Sequence, residues 1–166
     1  MNFYANREVL YIMVTNVRKE IEKFEWKVRY VPHEIIEDYN ACYKVVYHDK
    51  VIYPPAANKL GIPLNEIWLS ERLREYEDYV LFHELREIQY RYQGYNVREA
   101  HLKARIDEAL RFCGDPKWME YFEKFPDSSV PLDCLKELCS IIKSNIRSAD
   151  TLYKLLIKCI THHGKA

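Results

Sequence analysis

Tyr79-Val80-Leu81-Phe82-His83-Glu84-Leu85-Arg86-Glu87-Ile88 holds an HExxE motif in the middle of a strong helical pattern. His83 and Glu87 are four residues apart, so on a helix their side chains leave the same face one turn apart and can grip one ion. Leu81, Leu85, Ile88 and Tyr92 form a separate apolar stripe. The pattern therefore predicts a helix with one face in the core and with His83 and Glu87 facing a cleft.

Working outward, the helical pattern spans about Glu71 to Gln93, and Gly94 stands where a helix-ending glycine belongs. Asn96-Val97-Arg98-Glu99 has the form of a capping box and opens a second helix that reaches Phe112 or Cys113. That helix carries His101 between Ala100 and Ala104, small residues that suit close helix approach. Asp115-Pro116 starts a third, short helix through about Phe125. Pro126 to Pro131 reads as a linker, and Leu132–Ile146 with Ala149–Ile160 as a helical hairpin. Leu135, Leu138, Ile141, Ile142 and Leu152, Leu155, Leu156, Cys159 recur at core-facing spacing. The terminal His162-His163 reads as a complement to the dipole of a late helix.

Upstream the period changes. A first helix is capped by Asn6 and carries Val9, Leu10, Met13, Val17, Ile21 and Phe24. Trp26, Val28 and Tyr30 then alternate with charged residues as in a half-buried strand. Tyr43 to Tyr47 and Val51 to Tyr53 flank Asp49-Lys50 as a hairpin that Pro54-Pro55 ends. Ile67-Trp68-Leu69 reads as one more strand. The expected class is α+β, with an N-terminal helix, a sheet of three or four strands, and helices thereafter. Residues 1–125 are expected to form the domain with the candidate site, and 126–166 a helical hairpin packed on it.

A catalytic zinc needs three protein ligands and an open position. His83 and Glu87 supply two. His101 supplies a third if the two-helix hairpin folds back, giving two imidazoles and one carboxylate. Glu108 competes with it, but lies seven residues further, about 10.5 Å along the axis. A His, Glu, Glu set would also favour harder metals. HExxE alone is a weak signal, because His33-Glu34-Ile35-Ile36-Glu37 repeats it. That copy follows Pro32 between two strand-like segments, has no nearby His to complete it, and reads as a connecting turn.

The strand Ile67 to Ser70, the helix with His83-Glu84-x-x-Glu87, the Gly94 turn and Ala100-His101-x-x-Ala104 together resemble zincin metallopeptidases. More narrowly, they are similar to small zincin-like proteins of phages, archaea and archaeal viruses. The resemblance covers about residues 64 to 112, with Glu87 standing where the typical motif has a second His. It implies His83 as zinc ligand, Glu84 as the general base acting on metal-bound water, and a peptide or protein as substrate. The alternative it leaves open is a degenerate zincin-like scaffold that serves as an interaction or viral structural protein.

Composition excludes other classes. Lys and Arg number 25 and Asp and Glu 25, so no charge excess points to nucleic acid or anionic lipid. No apolar run approaches the roughly 18 residues of a membrane span. Asn6, Arg7 and Glu8 interrupt any secretory leader, so the expected compartment is the cytoplasm, or that of a host cell for a viral protein. With four glycines, phosphate-cradling loops are not expected. Gln occurs only at Gln89 and Gln93, against many Glu, Lys, Ile and Tyr, a thermophile-leaning composition. The five cysteines, odd in number and without a CxxC pair, are expected as single buried thiols.

Overall fold

The computed structural model describes residues 17–164. The expected cap at Asn6 and the helical positions Val9, Leu10 and Met13 lie outside them. Among the described residues there are eight α-helices and one four-stranded mixed sheet, the α+β class read from the pattern. The chain divides into two compact units, one ending at Val97 and one beginning at Arg98. The segment Pro126 to Pro131 lies inside the second unit, joining two of its helices.

The first unit runs α1 (Val17–Lys23), β1 (Lys27–Val31), α2 (His33–Ile36), β2 (Ala41–Tyr47), β3 (Lys50–Ile52), α3 (Pro55–Leu60), β4 (Glu66–Ser70) and α4 (Glu77–Tyr92). The sheet order is β1-β4-β2-β3, with β1 parallel to β4 and the other pairs antiparallel. The hairpin turns through His48-Asp49, with Tyr47 opposite Lys50 and His48 in the left-handed region. Alternation along β2 decides what each face of the sheet carries. Tyr43 and Val45, both buried, point to the side where α4 packs. Cys42 points to the other side, into a cluster with Ile36, Ala57 and Ile62 from α2, α3 and the loop after it.

The helical run predicted from Glu71 divides in two. Residues Glu71–Tyr76 form a 3₁₀ segment opened by Ser70, whose Oγ accepts from Arg72 N, and α4 begins only at Glu77. Glu77 is held from outside the helix: Tyr30 Oη donates to it at 2.7 Å and Arg18 pairs with it. Its negative charge at the helix N-terminus also suits the macrodipole. At the other end Gly94 N bonds Arg91 O at 3.0 Å and Tyr95 N bonds Tyr90 O at 3.2 Å, a Schellman closure. Gly94 has φ +104°, where a side chain would be strained.

The second unit is helical: α5 (Val97–Phe112), α6 (Pro116–Lys124), α7 (Leu132–Lys143) and α8 (Ala149–His163). Asp115 caps α6, accepting from Lys117 N with Pro116 following, and Ser148 caps α8. Trp118, Phe122, Leu135, Leu138, Ile142, Leu152 and Leu156 are buried.

For four of the five cysteines the expectation of single thiols is overturned here. Cys113 pairs with Cys139 and Cys134 with Cys159, with Cα–Cα distances of 5.4 and 5.8 Å. The bridges staple the end of α5 to α7 and α7 to α8. Units below about 70–80 residues bury too little apolar surface to be robust without such links. Loops closed over separations of 26 and 25 residues contribute about 3–4 kcal/mol each in the chain-entropy account. No spacing rule flags partners that meet across separate helices.

Cys42 is the remaining thiol, and it is buried. Burial, helped by the negative charges of Glu84 and Glu87, pushes it up to about 12. The reactive species is the thiolate. Native oxidised protein is therefore expected to leave Cys42 unmodified by a thiol-reactive dye at pH 8, and to release one equivalent after denaturation. A fast-reacting equivalent in the native state would contradict the burial of Cys42 beneath α2 and α3.

Candidate metal centre

α4 does not present His83 and Glu87 to an open cleft. The helix is buried on nearly all sides from Tyr79 to Ile88, and His83, Glu84 and Glu87 are 4%, 6% and 6% exposed. Two carboxylates and an imidazole at such depth need partners, because unpaired buried charge is strongly unfavourable.

The i, i+4 spacing supplies one partner directly. His83 Nε2 and Glu87 Oε2 lie 3.0 Å apart. An ionised carboxylate can only accept, so this nitrogen carries the imidazole proton in that bond. The sheet supplies the second: Tyr43 Oη donates to Glu87 Oε1 at 2.9 Å. Burial, the Glu87 and Glu84 charges and this hydrogen bond all hold the Tyr43 phenol well above its ordinary range, so it remains a donor. Glu87 is thereby clamped between β2 and its own helix, with one oxygen on the phenol and one on the imidazole.

The donor atoms fit a cation. Two ligands of a tetrahedral ion at bonds of about 2.0–2.2 Å stand about 3.3–3.6 Å apart. His83 Nε2 and Glu87 Oε2, at 3.0 Å with a proton between them, need only a few tenths of an ångström of opening. Nitrogen and carboxylate oxygen donors suit zinc and its neighbours. Glu84 follows His83 on the same helix and is equally enclosed.

The remaining two candidates belong to the second unit. His101 Nε2 donates to Asp127 Oδ2 at 2.7 Å, which fixes the ring. Asp127 also accepts from Arg105 Nε at 2.9 Å and from Ser129 N and Oγ at 2.8 and 2.6 Å. Burial alone would raise the Asp127 carboxyl, but Arg105, His101 and Ser129 together hold it well below the usual carboxylate range. Glu108, fully buried, takes Arg105 Nη1 at 2.5 Å on one oxygen and Trp118 Nε1 at 3.3 Å on the other. Both of its carboxylate oxygens thus have partners within its own unit.

The second HExxE copy behaves as expected. α2 is only four residues long, and Glu37 lies beyond its end at φ 51°, so His33 and Glu37 share no helical face. His33 Nδ1 is hydrogen-bonded to Ser70 Oγ at 3.0 Å. Tyr90 Oη accepts from Arg86 Nη2 at 3.4 Å. The tyrosine that reaches Glu87 is Tyr43, which the sequence reading did not single out. Asp127 was missed too, because it lies in a stretch that reads as a linker.

No family model, curated protein or solved structure matches the chain. The case for the site rests on its own geometry.

Proposed function

We propose that this chain is a zincin-like metallopeptidase whose cation is held by His83 and Glu87, with Glu84 as general base. The observation that carries the reading is the buried His83–Glu87 pair, its carboxylate fixed by Tyr43. A divalent cation held there supplies Lewis acidity toward a peptide carbonyl and lowers the pKa of a coordinated water. The chain's own residues do the rest. His83 and Glu87 offer one donor each, and Tyr43 keeps Oε1 occupied so that Oε2 faces the imidazole. Glu84 accepts a proton during hydrolysis and returns it to the leaving amine. Peptides or proteins are the substrate class.

The purified protein is expected to retain about one zinc per chain, or to take it up after stripping, and His83→Ala is expected to abolish uptake at this site. Metal analysis checks both. No cation retained and none added, or undiminished binding by His83→Ala, overturns the reading. Because four cysteines are also potential ligands, the measurement belongs on oxidised protein. Tyr43→Phe removes the donor to Oε1 and is expected to weaken cation affinity about 10–100-fold, the usual effect of deleting a group that orients a ligand. Titration of apo protein with zinc reads it, and unchanged affinity removes Tyr43 from the site.

One observation favours a second reading. His83 and Glu87 satisfy each other in a buried setting, as they would in a zincin-like scaffold without catalysis. Peptide hydrolysis by the zinc-loaded protein separates the two.

A further inference from the structure

The Cys134–Cys159 bridge has company that a purely structural staple does not need. Cys134 lies on α7 and Cys159 on α8, and His163 stands one turn beyond Cys159 on the same helix. A sulfur from each cysteine and an imidazole nitrogen of His163 all lie within 4.8 Å of one another. Glu137 sits three residues past Cys134 on α7, and its Oε2 is 3.2 Å from Cys159 Sγ. An i, i+4 pair on α8 and Cys134 on its packed neighbour α7 thus gather two sulfurs and one nitrogen at one place, with the Glu137 carboxylate beside one of the sulfurs. Cys134 is buried while His163 and Glu137 are exposed, so the place has a dry floor and an open mouth. Among the described residues, Cys113 and Cys139 belong to no such group.

We propose that Cys134, Glu137, Cys159 and His163 form a second metal site, for zinc, that is closed by the disulfide and opened by its reduction. A dithiol reductant delivers two electrons and two protons, the S–S bond breaks, and two thiols form while the reductant becomes a disulfide. Zinc then displaces the two thiol protons and is bound by two thiolates, the imidazole and the carboxylate, a complete tetrahedral set. Thiolates on one zinc at bonds of about 2.3 Å stand about 3.8 Å apart, so the two sulfurs part when the bridge is replaced by the ion. In the reverse direction a small-molecule disulfide takes two electrons from the thiolates, the S–S bond re-forms and zinc leaves. The site is independent of the one at His83 and Glu87, and a cation held only by nitrogen and oxygen cannot mimic its sulfur signature.

The test uses the full chain, reduced with a phosphine under anaerobic conditions and titrated with cobalt(II), then with zinc in competition. Reduced protein is expected to develop a near-ultraviolet thiolate-to-cobalt charge-transfer band at one equivalent, which zinc abolishes. Oxidised protein is expected to show none. His163→Ala and Glu137→Gln, both at exposed positions that leave the fold intact, are each expected to weaken binding at least about tenfold. Cys113→Ser with Cys139→Ser should keep the band, and wild-type protein with the free cysteines intact provides the same readout if that variant does not fold. Absence of the band in reduced wild type, or binding by His163→Ala and Glu137→Gln equal to wild type, overturns the proposal.

Discussion

A Glu84→Gln variant is expected to keep its cation and to lose peptide hydrolysis by about 10²–10⁴-fold, the range attached to a positioned general base. The substitution preserves size and hydrogen-bonding capacity but removes the basic oxygen. It leaves His83 and Glu87, the groups that contact each other, in place. Glu84 is 6% exposed, and the amide fills the same enclosed space. Two measurements made together decide the matter: zinc content, and cleavage of a mixed peptide substrate by wild type and variant. Full metal with lost cleavage supports the assignment. Equal cleavage by the two proteins removes Glu84 from the chemistry, and loss of metal would recast it as a ligand or a support for one.

Replacing Glu108 with Ala is expected to destabilise the protein by about 3–5 kcal/mol, the cost of breaking a buried ion pair from one side. Glu108 is fully buried and Arg105 nearly so, with the guanidinium lying 4.6 Å over the Phe122 ring. Burial alone would lower the Arg105 pKa, but Glu108 and Asp127 more than offset it, and the residue stays charged. Removing Glu108 takes one anion from Arg105, which keeps Asp127, and strips the partner from Trp118 Nε1. Urea unfolding followed by tryptophan fluorescence reads the loss. The double replacement Arg105→Met with Glu108→Leu should recover much of it, since neither charge is then left alone in the core. A single-variant loss below about 1 kcal/mol would mean that Asp127 suffices. Asp127 also orients His101.

Several features were legible in the sequence because they depend on neighbours along the chain. The helix around His83 follows from a 3.6-residue period, and its end from Gly94, where φ +104° demands a residue without Cβ. Asp115-Pro116 marked the start of α6 because a capping side chain and a fixed φ act within one turn. The strand at Val28 followed from period-two alternation, and that at Tyr43 to Tyr47 from its β-forming residues. The pairing of His83 with Glu87 is itself local, since i, i+4 geometry brings the two atoms together whatever surrounds the helix.

What the tertiary structure alone decided involves residues distant in sequence. Tyr43 reaches Glu87 only because β2 is set antiparallel to β4 beneath α4, across 44 positions of chain. Asp127 looks like linker until its carboxylate is seen between Arg105 and His101. The cysteines read as isolated thiols until α7 places Cys134 and Cys139 against partners 25 and 26 residues away. HExxE therefore stood in the sequence as two adjacent turns of one helix. The hydrogen bond that clamps its last carboxylate depends on sheet register, which residue periodicity does not specify across strands.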